Sequence, residues 1–321
     1  MIVTIGRGGT CTLARMLSEH QDTPLRLAEP PGSRPSLVLV AGSGRSGTSL
    51  FSGILQRLGY AVAQPEVPAD ETNPRGFAES QWVVDFHTRL LRDVGVQVAD
   101  ARPGAWALTA EAGMREDTRG ELRDWLEARL SETPALLVKD PRLSWFLPLW
   151  RACAHELGAD PALVTMLRHP AAVIGSKQRW YRGWQGDVGR LAGWINQTVY
   201  LERATRGSQR SFVRYEDLLE DWTRAIGRAG EQLDLAVIRD ATPAAIRRAH
   251  EYVDRGLRRS PADWDGFAIP LPLREQADEV WALVQRLAHD DAGAGVHARL
   301  DALRAAYGEL YTGAEAIAQS S

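Results

Sequence analysis

The sequence predicts a single α/β domain built on a mostly parallel sheet of the phosphate-loop type, with helices covering both faces. Two observations carry this expectation. Four short apolar runs, "LVLVAG", "ALLV", "LVTML" and "SFVRY", are separated by stretches with helical spacing, and such alternation builds a parallel sheet wrapped by helices. The first run leads straight into a glycine-rich turn and then a helical pattern, the order strand, turn, helix.

Taken in order, residues 1–36 form an N-terminal extension or an extra strand, ending in the proline-marked "TPLRLAEPPGSRPS". Within it Gly6, Arg7, Gly9 and Thr10 faintly echo Gly44, Arg45, Gly47 and Thr48; chance similarity accounts for this, and no activity is assigned to it. "LVLVAG" is continuous and β-branched, as a strand buried on both faces should be. Beyond the turn, Leu50, Phe51, Ile54, Leu55 and Leu58 recur at helical spacing, and Gly59 stands where a helix stops. Residues 95–133 read as a helical lid or insertion that includes "RGELRDWLEARLSE". "ALLV" and "LVTML" are the next two strands, the span from Trp180 to Thr205 is helical, "SFVRY" is the fourth strand, and 255–321 is a C-terminal helical segment.

Bulk properties narrow the function. Apolar residues make up 44% and charged residues 25%, ordinary globular usage that excludes disorder by composition. A net charge of -3 gives no global reason to expect nucleic acid or an anionic membrane surface as partner. Cys11 and Cys153 are too few for a disulfide framework and lack zinc-ligand spacing. No stretch approaches the length of a membrane span. These features predict a soluble cytoplasmic protein whose anion sites are local.

The ends of the four runs place those sites. They continue as "GSGRSGTS", "KDPR", "RHP" and "YED", so one rim of the sheet gathers Arg45, Lys139, Asp140, Arg142 and Arg168. Ligands of open parallel sheets bind beyond the carboxyl ends of the strands. The turn from Gly42 to Ser49 departs from the nucleoside-triphosphate loop, G-x-x-x-x-G-K-[ST], at one position: Thr48 replaces the lysine. The glycines and the helix start still suit an anion, but the charge that serves a terminal phosphoryl group is missing. A sulfuryl group carries about one negative charge where that phosphoryl carries nearly two. Arginine and backbone donors can stabilise its transfer without a metal ion.

Taken together, "GSGRSGTS", "RHPAAVIGS" and "RYEDLLEDW" resemble the motifs of sulfotransferases that use 3′-phosphoadenosine 5′-phosphosulfate (PAPS), in the version whose loop bears arginine. "NPRGFAES" and "KDPRL" resemble segments of its bacterial members, and the likeness extends from about residue 37 to 223. It implies a sulfotransferase-like three-layer α/β/α fold, PAPS as donor, and a small-molecule hydroxyl as acceptor, such as a natural product, glycoside or lipid.

The resemblance assigns roles residue by residue. Ser43, Gly44, Arg45, Ser46, Gly47, Thr48 and Ser49 would hold the 5′-phosphosulfate, and Arg168 and Ser176 the 3′-phosphate. Read without it, an arginine ending a strand and a serine opening the next helix converge on one phosphate, or merely cap the two elements. Tyr215 reads equally as an adenine contact and as an aromatic ending a strand. Arg259, with Arg258, reads as a cover over the 3′-phosphate or as solvated surface. Lys139 either assists Arg45 or pairs with a carboxylate.

Transfer to an alcohol needs a general base. Where many members carry a histidine, this chain reads "KDPR". Glu79 is the first choice, Glu66 the second, and His87 and Asp140 remain. Trp180, Tyr181, Trp184, Trp194 and Tyr200 suit an acceptor cleft or a helical core. The competing readings are a divergent phosphate-loop kinase or phosphohydrolase, and a nucleotide-binding protein that has lost catalysis.

Overall fold

The structure is a computed structural model describing residues 36–180, 185–254, 256, 263–289, 293 and 295–320. The N-terminal echo, Cys11, Tyr181, Trp184, Arg258 and Arg259 lie outside the described residues.

The four apolar runs become the four strands of one sheet: β1 (Ser36–Ala41), β2 (Ala135–Lys139), β3 (Ala162–Leu167) and β4 (Arg210–Arg214). Their spatial order is β2-β1-β3-β4 and every neighbouring pair is parallel. Val38 therefore sits between Leu137 and Ala162, and Thr165 lies beside Phe212. The chain winds from β1 to β2 on one side and from β3 to β4 on the other. The crevice at the carboxyl ends of β1 and β3 is thus the switch point where such sheets bind ligands.

Twelve helices are described: α1 (Thr48–Leu58), α2 (Gln81–Asp93), α3 (Ala105–Gly113), α4 (Glu116–Glu132), α5 (Leu143–Glu156), α6 (Pro170–Trp180), α7 (Asp187–Ala204), α8 (Tyr215–Gln232), α9 (Ala236–Arg239), α10 (Pro243–Tyr252), α11 (Leu271–Ala288) and α12 (Val296–Gln319). Successive side chains of β1 point to opposite faces. Val38 and Val40 pack under α1, α8 and α10, while Leu37, Leu39 and Ala41 pack under α2 to α5. A third cluster, around Leu167, Trp194 and Phe212, buries α6, α7, α11 and α12 beside the sheet. Because both faces are covered, β1 buries five of its six residues, which explains why it reads as an unbroken apolar run.

Several local expectations change. Ser176 does not open a helix: Pro170 begins α6 immediately after "RH", so Ser176 falls in its seventh position. Proline fixes φ for a first helical residue and lacks the N–H that position leaves unused. Tyr215 does not end a strand but begins α8, and Glu216 and Asp217 occupy the first turn. Within 95–133, α3 and α4 pack into the cluster with α5, and none of these residues lines the cleft described below.

Candidate functional site

The turn after β1 is shaped by contacts as well as by backbone freedom. Gly42 has φ +145° and Gly47 φ +90°; a Cβ on Gly42 would stand 2.7 Å from the Met166 carbonyl oxygen, and one on Gly47 would stand 2.4 Å from the Tyr215 ring. Between them Arg45 adopts a left-handed φ of 75°, a conformation that non-glycine residues hold only when their surroundings impose it. The Ser46 amide donates to the Ser43 carbonyl at 3.0 Å, and Arg168 Nη1 donates to the Arg45 carbonyl at 2.9 Å. β3 thus fixes the apex of the β1 turn.

α1 starts from this turn with no side-chain cap and no acidic residue in its first turn. Its leading N–H groups are therefore left without a side-chain cap. The hydroxyls of Ser43 and Ser46 are buried and have no hydrogen-bond partner among the described residues. Buried hydroxyls without partners are costly; these two belong to the turn but do not line the cleft described next.

Around the turn lies a cleft of ≈ 460 Å³. Arg45, Thr48, Ser49, Glu79, Lys139, Arg168, Ser176, Tyr215 and Trp180 all line it. Arg45 Nε donates to Ser176 Oγ at 3.0 Å and Nη1 donates to the Thr72 carbonyl at 3.3 Å. The Arg168 guanidinium lies 4.4 Å from the centroid of the Tyr215 ring, within cation–π range. The structure therefore brings together the loop arginine, the β3 arginine, the α6 serine and the α8 tyrosine, which are far apart in sequence.

A second group lines the same cleft. Lys139 Nζ donates to Glu79 Oε1 at 2.5 Å, to Ser49 Oγ at 2.9 Å and to the Phe77 carbonyl at 3.0 Å. Both members of the ion pair are buried. Burial pushes the Glu79 carboxyl above its usual range; Lys139 opposes the rise, and nearby Asp140 adds to it. Lys139 thus pairs with a carboxylate and also touches the last residue of the turn.

The other candidate bases are placed differently. Glu66 accepts from Gln56 Nε2 at 2.7 Å and Gln64 Nε2 at 2.9 Å and does not line the cleft. His87 and Asp140 are fully buried partners, 2.9 Å apart, and neither lines the cleft. Trp194 belongs to the third core cluster, and Tyr200 stacks on Trp106; of the described aromatics after Arg168, only Trp180, Tyr215 and Tyr252 reach the cleft.

Sequence reasoning missed Arg75, Arg179, Tyr252 and Asp254 as lining residues. Arg75 donates to the Tyr252 carbonyl and pairs with Asp254 at 3.4 Å, joining the "NPRGF" segment to the end of α10 across the chain. No local pattern marks such a contact. Arg179 had a readable signal, since it follows Ser176 by three positions and so shares its helix face.

No known family profile matches the chain, and no curated protein matches it in sequence. Solved structures similar to it include the sulfotransferase domain of the Synechococcus PCC 7002 olefin synthase, 15% identical, spanning 80% of this chain and 97% of that one at a TM-score of 0.45. The sulfotransferase domain from the curacin biosynthetic pathway is 12% identical over 78% of this chain and 98% of that one, TM-score 0.45. A sulfotransferase from Mycobacterium tuberculosis H37Rv is 14% identical over 77% and 76%, TM-score 0.40.

Proposed function

We propose that the cleft binds PAPS and that the protein transfers its sulfuryl group to a hydroxyl of a small-molecule acceptor. The observation that carries this reading is the convergence of Arg45, Arg168 and Ser176 on one cleft at the uncapped start of α1, beside a turn whose Ser43 and Ser46 hydroxyls have no partner among the described residues. The residues fit the donor. The turn amides, Ser43, Ser46, Thr48 and Ser49 would hold the 5′-phosphosulfate, Arg168 and Ser176 the 3′-phosphate, and Tyr215 the adenine. Thr48, standing in place of the phosphate-loop lysine, favours this over a nucleoside triphosphate.

The donor supplies an activated sulfuryl group. A new S–O bond to the acceptor forms as the bond between sulfur and the phosphate oxygen breaks, and the acceptor proton passes to Glu79. Lys139 keeps Glu79 in place and, through Ser49, links the base to the end of the turn. The Arg45 guanidinium, an always-charged fork, stabilises charge at the transferring group.

Calorimetric titration tests the reading. Micromolar binding of 3′-phosphoadenosine 5′-phosphate (PAP), with none of ATP plus magnesium, is the expected outcome. Preference for ATP would sink it.

A further inference from the structure

Arg142 lines the cleft near the Glu79–Lys139 pair, and nothing above gives it a task. It is held from behind by a chain of buried polar groups. The Trp150 indole N–H donates to His87 Nε2 at 2.8 Å. An indole only donates, so Nε2 carries no proton and Nδ1 carries one. Nδ1 donates to Asp140 Oδ2 at 2.9 Å. The other oxygen, Oδ1, accepts from the Arg142 amide at 2.9 Å and from its Nη1 at 2.8 Å. His87 and Asp140 are both 0% exposed.

Burying a carboxylate and an imidazole is expensive unless each polar atom is satisfied. Here every one is, and the chain ends on a single guanidinium that reaches the cleft with 23% of its side chain exposed. An arginine has five N–H donors. Among the described residues only Nη1 is engaged, and the rest of the fork meets no acceptor there. The neighbouring cation, Lys139, is by contrast spent on Glu79. Pro141, next to Arg142, comes within 4.0 Å of where a Cβ on Gly44 would lie, so the backbone beside Arg142 borders the phosphate turn.

We propose that Arg142 binds the oxygens of the sulfuryl group, and that His87 and Asp140 are positioning residues that fix its guanidinium there. This rests on the PAPS reading given above. The sulfuryl group has oxygens that a charged fork can grip. PAP lacks that group, so the two nucleotides separate this role from any general attraction of the cleft for anions.

The experiment compares Kd for PAPS and for PAP, without acceptor, in the wild type and in Arg142→Gln, His87→Ala and His87→Asn, with Tm as a control for folding. Arg142→Gln should weaken PAPS by about tenfold or more, the scale of a charge-assisted hydrogen bond, while PAP stays within about twofold. His87→Ala should weaken PAPS in the same selective way. His87→Asn, whose amide N–H replaces the Nδ1 donor to Asp140, should recover most of the loss. Equal weakening of both nucleotides, or no change in either, overturns the assignment of Arg142. Selective loss in Arg142→Gln with PAPS affinity unchanged in His87→Ala overturns the positioning role. If the wild type binds neither nucleotide, the PAPS reading itself fails.

Discussion

Glu79 is the residue on which burial and charge act in opposite directions. Burial pushes its carboxyl up, Lys139 pulls it down, and Asp140 pushes it up again, with a net rise. A general base must be unprotonated to act, so the acid limb of the rate profile should lie above the ordinary glutamate value of about 4.3. Lys139→Met removes the opposing charge and should move that limb further up. Glu79→Gln keeps the volume and a bond to Lys139 but removes the proton acceptor. It should leave PAP affinity unchanged and slow donor consumption by about a hundredfold or more. Undiminished consumption in Glu79→Gln would show that the base lies elsewhere.

At the scale of elements, α6 carries two consequences of one helix face. Ser176 and Arg179 reach the cleft, whereas Lys177 turns into the protein. Burial pushes the Lys177 ammonium down to about 8, and Arg190 adds to the shift. The folded state therefore favours the neutral amine, and at neutral pH the charged form costs stability. That cost is fully present below the folded value and disappears as pH rises towards the unfolded value near 10.4. Lys177→Met should stabilise the protein at pH 7 by about 2 kcal/mol, with the gain vanishing near pH 10. Urea unfolding at the two pH values measures this. A destabilised variant at pH 7 would contradict the account.

The same elements show what was legible beforehand. The first three strands were readable because both faces of the sheet are covered and each is a mostly apolar run, whereas β4, RSFVR, shows only the short buried stretch Ser211 to Val213. The turn, Arg168 and Ser176 were readable because their spacing is local. Ser176 as a helix-interior residue was not, because the start of α6 depends on Pro170 rather than on a serine cap. The sequence left His87 only as a remaining candidate base; its partners Asp140 and Trp150 lie 53 and 63 positions away, and no periodicity signals them.

Across the whole molecule, Glu202 joins parts that the sheet does not. It is fully buried, accepts from Arg206 Nη2 at 2.5 Å and Arg210 Nη1 at 3.2 Å, and faces His297 Nδ1 at 2.9 Å. It thereby ties α7 to β4 and to α12. Removing one partner of such a network strands the remaining charges. Glu202→Gln should cost about 3–5 kcal/mol of stability, seen as a lowered denaturant midpoint, while PAP affinity in the folded protein stays the same. A midpoint unchanged in this variant would mean that the network is not what joins these elements.

The most direct test of the central claim, that the cleft recognises a 3′-phosphorylated adenine nucleotide, is titration of the wild type and Arg168→Ala with PAP and with adenosine 5′-monophosphate, which lacks the 3′-phosphate. The account predicts that the wild type strongly prefers PAP and that Arg168→Ala loses most of this preference, with little change for the monophosphate. Equal affinity of the wild type for both nucleotides, or equal losses for both in the variant, would contradict it.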